Sequence, residues 1–167
     1  MKLFLIGMPG SGKSTVAKEF AKLKGIYFYD TDNLIEHKYK FTISEIFNQF
    51  GEPEFRKYEK YTLNEIINQN TDFIAATGGG LPCFYDNMNR MREAGTTVYL
   101  KTTVEILFER LGLNSDRPLL FGKTDKELLR YLKTVLKNRE SFYLQAKYVI
   151  DAGKNINVIL KSKPFNL

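Results

Sequence analysis

A chain of 167 residues with 43% apolar side chains is one domain's worth of sequence, with enough apolar surface to bury a core. It has no run of 18 apolar residues, which excludes a helical membrane span, and a single cysteine, Cys83, which excludes an intrachain disulfide and suits a reducing compartment. The net charge is +6, yet no tract of five or more lysines and arginines occurs; this points to solubility and a small anion-binding site rather than to nucleic acid.

The first predicted element is a strand, Lys2–Ile6, and no signal peptide is expected before it. The strand runs into Gly7-Met8-Pro9-Gly10-Ser11-Gly12-Lys13-Ser14, which fits the phosphate-binding pattern G-x-x-x-x-G-K-[ST]. A predicted helix, Lys13–Leu23, follows with Val16, Phe20 and Leu23 on one face. The glycines thus sit between a strand and a helix. There, backbone N–H groups and the positive helix end surround a polyphosphate. Gly10, Ser11, Gly12 and Thr15 are expected to border the nucleotide. Lys13 is expected to reach its β- and γ-phosphates, and the Ser14 hydroxyl to ligate Mg²⁺.

The next predicted strand is Ile26–Tyr29, with Tyr27, Phe28 and Tyr29 read as buried. Just past it lies Asp30-Thr31-Asp32. Alternate carboxylates there face the same crevice as the phosphate loop, one suited to hold Mg²⁺ through water and the other to accept a proton from an attacking hydroxyl. The alternative is that Thr31 or Asp32 merely caps the following helix. Helices are predicted over Thr31–His37, Ile43–Phe50 and Glu52–Asn68. In the last, Arg56 and Glu59 are three apart and share a face, either as a solvated ion pair or as an arginine held in one rotamer to bind a carboxylate.

A third strand, Asp72–Ala76, leads to Thr77-Gly78-Gly79-Gly80, where glycines permit close backbone approach to a ligand. The remaining predicted elements are a helix Tyr85–Glu93, a strand Thr96–Leu100, helices Thr103–Leu111 and Asp125–Ala146, and a strand Tyr148–Ile150. Between the last two helices, Asp116-Arg117-Pro118-Leu119-Leu120 reads as a loop able to bring an arginine onto phosphates and exclude water. Strands alternating with helices imply a parallel sheet, with ligands beyond the carboxyl ends of the strands. His37 and Cys83 receive no role. Arg110, at the end of its helix, either stacks on a base or merely favours the helix C-terminus, and Arg139 on its own spacing reads as solvated surface.

Taken in order, these segments resemble the shikimate kinase family over about residues 2–151. The order is phosphate loop, Asp-x-Asp, Phe-Arg-x-x-Glu, Gly-Gly-Gly, Arg-Pro-Leu-Leu, then a late arginine with tyrosine four residues on. The resemblance implies an α/β, nucleoside-monophosphate-kinase-like P-loop NTPase fold, a five-stranded parallel sheet of order 2-3-1-4-5 flanked by helices. It implies one kinase domain over 1–167, with a substrate-binding segment at about 31–60 and a lid at about 111–123. It implies ATP and Mg²⁺, the latter on Ser14 and, through water, on Asp30. Asp32 matches the residue that binds the ring hydroxyls and takes the proton. Arg56 and Arg139 match the pair on the shikimate carboxylate, and Gly79 and Gly80 match backbone contacts to that substrate. Arg117 matches the lid arginine on the phosphates, and Arg110 the arginine over adenine.

The chain also departs from the family pattern. Ser141 stands where proline is usual between the late arginine and tyrosine, and Ala17 replaces a common glycine. Leu81-Pro82-Cys83-Phe84-Tyr85 is more apolar than usual, and no match is found for the segment that completes the adenine site near 152–155. The expected activity is transfer of the ATP γ-phosphate to the 3-hydroxyl of shikimate by a cytoplasmic monomer, with no membrane and no nucleic-acid partner. The rivals are a gluconate or nucleotide kinase of the same fold, a non-catalytic domain of the shikimate kinase type, and a nucleic-acid-binding P-loop protein.

Overall fold

The computed structural model describes residues 1–112 and 124–165. The segment carrying Arg117 and most of the expected lid lies outside them. Five short runs form the sheet: β1 (Lys2–Ile6), β2 (Tyr27–Asp30), β3 (Phe73–Ala76), β4 (Thr96–Lys101) and β5 (Tyr148–Asp151). They pair in parallel in the order β2-β3-β1-β4-β5, the order that the family resemblance implies. β1 is central, with Phe4 opposite Ala75 on one side and Thr97 on the other. Both of its faces are covered, which is why it reads as an unbroken apolar run rather than an alternating one.

Alternation appears instead in where its side chains go. Leu3 and Leu5 enter one core with Val16 and Phe20 of α1 (Lys13–Lys24) and Ile159 and Leu160 of α7 (Ile156–Lys161). Phe4 and Ile6 enter the opposite core. There they join α3 (Ile43–Ile67), α4 (Asn87–Ala94), α5 (Val104–Gly112) and α6 (Asp125–Tyr143). The result is helices on both faces of a parallel sheet, so every strand delivers its carboxyl end to the same rim. A third, smaller cluster joins α2 (Thr31–Tyr39) to the start of α3, with Ile35, Ile46 and Phe55 buried at its centre.

Some expectations are corrected. β2 is an edge strand, so Tyr27 is 60% exposed and Tyr27–Tyr29 is not a buried strand. The two helices predicted over 43–68 run end to end as α3. They are separated by non-helical backbone at Gly51 (φ 79°, ψ 171°), with Pro53 in the first turn beyond. α4 begins at Asn87 rather than Tyr85, because Tyr85 holds φ 51°, outside helical space; a 3₁₀ turn at Leu81–Cys83 precedes it. α6 ends at Tyr143, after which Gln145 and Ala146 close short turns onto Phe142 and Tyr143. α7 was not predicted.

The third cluster depends on how α3 starts. The Thr42 hydroxyl accepts from Glu45 N–H at 3.2 Å and the Glu45 carboxylate accepts from Thr42 N–H at 2.7 Å, a reciprocal capping box. Thr42→Ala is expected to cost about 1 kcal/mol. In a chain of this size that lowers Tm by about 2–4 °C in calorimetry. An unchanged Tm would mean the helix start is held by its packing alone.

Candidate active site

The phosphate loop joins the central strand to α1. Gly10 and Gly12 take φ 84° and 90°, a left-handed conformation that side chains resist, so the loop folds back tightly over the helix start. Lys13 is buried, and its Nζ donates to the carbonyls of Gly7 at 3.0 Å and Met8 at 2.8 Å. Ser14 Oγ donates to Asp30 Oδ2 at 2.6 Å, bringing the two expected metal ligands together across two strand ends. Asp30 Oδ1 also accepts from the N–H groups of Asp32 (3.1 Å) and Asn33 (3.4 Å). The cap of α2 is therefore Asp30, and neither Thr31 nor Asp32. Arg110 donates to the carbonyls of Gly10 (3.3 Å) and Ala152 (3.0 Å), tying the loop to the turn after β5. Gly10 to Thr15, Arg110 and Lys154 border one cleft of about 420 Å³. The unmatched segment near 152–155 therefore lies against the phosphate loop.

A second cleft of about 510 Å³ adjoins it, and Leu111 lines both. Its walls bring together Asp32, Arg56, Gly79, Gly80 and Arg139, from four different parts of the chain. Arg56 is only 6% exposed, yet it is fully engaged along two edges. Its Nη1 donates to Glu59 at 2.6 Å, while Nε and Nη2 donate to one oxygen of Glu52 at 3.0 and 2.7 Å. The shared helix face read from the sequence is thus a buried pair, not a solvated one. Glu52, at the i−4 position, was missed, although its spacing from Arg56 was visible. A side chain at these glycines would displace residues of the cleft. A Cβ at Gly78 would lie 2.5 Å from Asp32 Oδ1 and 2.9 Å from Glu59 Oε1, and one at Gly80 would lie 2.5 Å from Arg56 Nη1.

Glu59 is 1% exposed, and burial pushes its carboxyl up to about 7, with Asp32 adding to the rise and Arg56 and Arg139 pulling against it. Burial opposes the charge on Arg56, but Glu59 and Glu52 overcome this and hold the guanidinium charged. Tyr143, also missed as a site residue, is fully buried and donates to the Gly79 carbonyl at 2.6 Å. Its signal was its place four residues after Arg139. α6 runs through the exposed Ser141 unbroken, so the absent proline leaves the helix able to reach Tyr143. Burial pushes the Cys83 thiol up to about 11, consistent with the absence of any assigned role.

The sequence profile of the shikimate kinase family matches residues 9–162. A shikimate kinase of Parabacteroides distasonis is 45% identical over 154 residues, covering 92% of this chain and 88% of that protein. The chain belongs to the shikimate kinase family. The shikimate kinase of Bacteroides thetaiotaomicron, solved by crystallography, superposes with a TM-score of 0.92 at 36% identity, over 96% of this chain and 97% of that one. A shikimate kinase from Acinetobacter baumannii, solved in complex with shikimate, gives a TM-score of 0.85 at 35% identity, over 96% and 90% of the two chains. A gluconokinase from Sinorhizobium meliloti, at 14% identity and a TM-score of 0.57, shares the fold alone. Membership in the shikimate kinase family makes the chain an ATP-dependent phosphotransferase acting on an alcohol. No helix among the described residues is long and apolar enough to cross a membrane.

The raised Glu59 carboxyl has a measurable sign. The folded protein holds this proton to about pH 7, whereas an unfolded glutamate releases it near pH 4.3, so folding takes up a proton between those values. Stability should therefore fall, relative to Glu59→Gln, as pH rises from about 4.5 to about 7. Urea unfolding of both proteins at several pH values checks this; a difference that does not vary with pH would mean Glu59 is already ionised in the fold.

Proposed function

We propose that this protein transfers the γ-phosphate of ATP to the 3-hydroxyl of shikimate. The observation that carries the reading is that Arg56, Arg139, Asp32 and the Gly79–Gly80 backbone line one cleft that shares Leu111 with the adjoining phosphate-loop cleft. Two arginines suit a carboxylate, because each guanidinium offers a planar fork of donors. A neighbouring carboxylate suits a hydroxyl that must lose its proton. Residues 31–60, with their own small core, form the acceptor-binding segment of a single kinase domain.

In this reading Arg56 and Arg139 hold the shikimate carboxylate, and the glycine backbone and Asp32 hold the ring hydroxyls. Asp32 takes the proton of the 3-hydroxyl as its oxygen bonds to the γ-phosphorus. The bond from that phosphorus to the β–γ bridging oxygen breaks, and the electron pair leaves with ADP. Lys13 moves its ammonium from the loop carbonyls to the β- and γ-phosphates, and Arg110 lies over adenine. Arg117, outside the described residues, is assigned to the phosphates on the family pattern alone. Ser14 Oγ and the Asp30 carboxylate are two hard oxygen donors 2.6 Å apart. That sparse set suits Mg²⁺, which Ser14 Oγ would hold directly and Asp30 through water. Bound there, the ion would neutralise charge on the phosphates. The protein acts as a cytoplasmic monomer without a nucleic-acid partner, and the scattered lysines and arginines support the last point.

Coupled ADP release with and without shikimate tests the whole reading. Turnover should require shikimate, and gluconate or nucleosides should not replace it. Release that ignores shikimate but follows another acceptor would transfer the chain to a different kinase activity. Asp32→Asn keeps the shape and removes the base, so kcat should fall by about 10²–10⁴ while ATP affinity is kept. Near-normal turnover in that variant would remove Asp32 from its role.

A further inference from the structure

We infer that Phe84 is a positioning residue for acceptor recognition, a ring set behind Arg56 that holds the plane of its guanidinium toward the cleft. This rests on the assignment of Arg56 to the acceptor carboxylate. Three rings surround the Arg56 guanidinium carbon, and Phe84 is the nearest, with its centroid at 4.0 Å against 5.1 Å for Phe55 and 5.9 Å for Phe47. Phe47 and Phe55 line the acceptor cleft, whereas Phe84 is not among the residues that do. Phe84 therefore acts on a bound acceptor through Arg56, not by touching it.

The orientation matters because few donors remain. A guanidinium has five N–H groups. Three are taken by Glu52 and Glu59, which leaves one on Nη1 and one on Nη2. These two remain to donate to a carboxylate. The carboxylates fix the arginine within its plane. A ring against its face resists tilting out of that plane, and it adds a cation–π attraction where water is excluded.

The backbone that delivers the ring is itself constrained. Phe84 is extended at φ −119°, and Tyr85 beyond it is left-handed at φ 51°, a conformation that costs free energy for a bulky residue. Buried Asn87 donates from Nδ2 to the Leu81 carbonyl at 2.9 Å, and Cys83 N–H donates to the Gly80 carbonyl at 2.8 Å. The turn that carries Gly80 thus also carries Phe84. This is the stretch whose apolar character departs from the family pattern, and a ring against Arg56 gives that departure a use.

The test is steady-state kinetics with shikimate varied at saturating ATP, on Phe84→Leu, Phe84→Met and Phe84→Tyr. Leu and Met keep the apolar volume and lack a π face; Tyr keeps the face. Leu and Met should raise KM for shikimate about three- to thirty-fold, with kcat and the KM for ATP held within about two-fold. Tyr should restore the parent KM, which a role in packing alone would not require. Arg56→Ala is the control for the underlying assignment. On that background Phe84→Leu should add nothing, since the group it acts on is gone. If Arg56→Ala weakens shikimate and the folded Phe84→Met does not, the inference is wrong and the assignment stands. If Arg56→Ala leaves shikimate affinity unchanged, the assignment itself has failed. A loss in kcat alone, or one that Tyr does not rescue, would also overturn the positioning role.

Discussion

The proposed acceptor cleft is organised by one constraint: a guanidinium buried among apolar rings must keep its charge. Burying an ion is costly unless it is paired and hydrogen-bonded, and removing one partner leaves the other exposed to the full penalty. Arg56 meets the constraint with Glu59 on one edge and Glu52 on another. The two carboxylates are not equivalent. Glu59 is as buried as the arginine, so its own ionisation is contested, whereas Glu52 is half in solvent. The charges of Arg56, Asp32 and Arg139 all act on the Glu59 carboxyl.

The parallel sheet makes that arrangement possible. β2, β3 and β1 lie side by side, and their carboxyl ends deliver Asp30 to Asp32, the three glycines and the phosphate loop to one rim. Small hydrogen bonds then tie neighbouring segments together. Thr31 Oγ1 accepts from Gly78 N–H at 2.7 Å, and Tyr143 reaches Gly79 from the far helix. Arg110 spans the phosphate loop and the turn after β5. The phosphate loop and the glycine run are thus each held by a residue distant in sequence, so the site is a product of the tertiary fold.

Much of this was legible in the sequence, and the reason is local chemistry. The phosphate loop, the Asp-x-Asp step and the glycine run each carry their signal within a few residues, and the strand–helix alternation fixes the sheet around them. What was not legible depended on environment. Nothing in the residues around Tyr27 says that β2 is an edge, and nothing in Phe84 says that a guanidinium lies 4.0 Å from its ring. Arg139 reads as surface until α6 is packed against the cleft. Glu59 reads as a helix pair until burial moves its proton affinity. The left-handed backbone at Tyr85 moved the start of α4, because steric strain held by surrounding structure has no signature in local propensity.

The glycine run has a bearing on how such a sequence can drift. A side chain at Gly78 would meet Asp32, one at Gly79 would meet the ring of Pro9 at 2.7 Å, and one at Gly80 would meet Arg56. Every replacement for glycine brings at least a Cβ, so no gentler substitution exists at these three positions. The atoms in the way belong to the phosphate loop, the proposed base and the proposed acceptor arginine. A mutational path through this turn would have to change the glycine and the cleft residue facing it at once, which leaves the stretch isolated in sequence space.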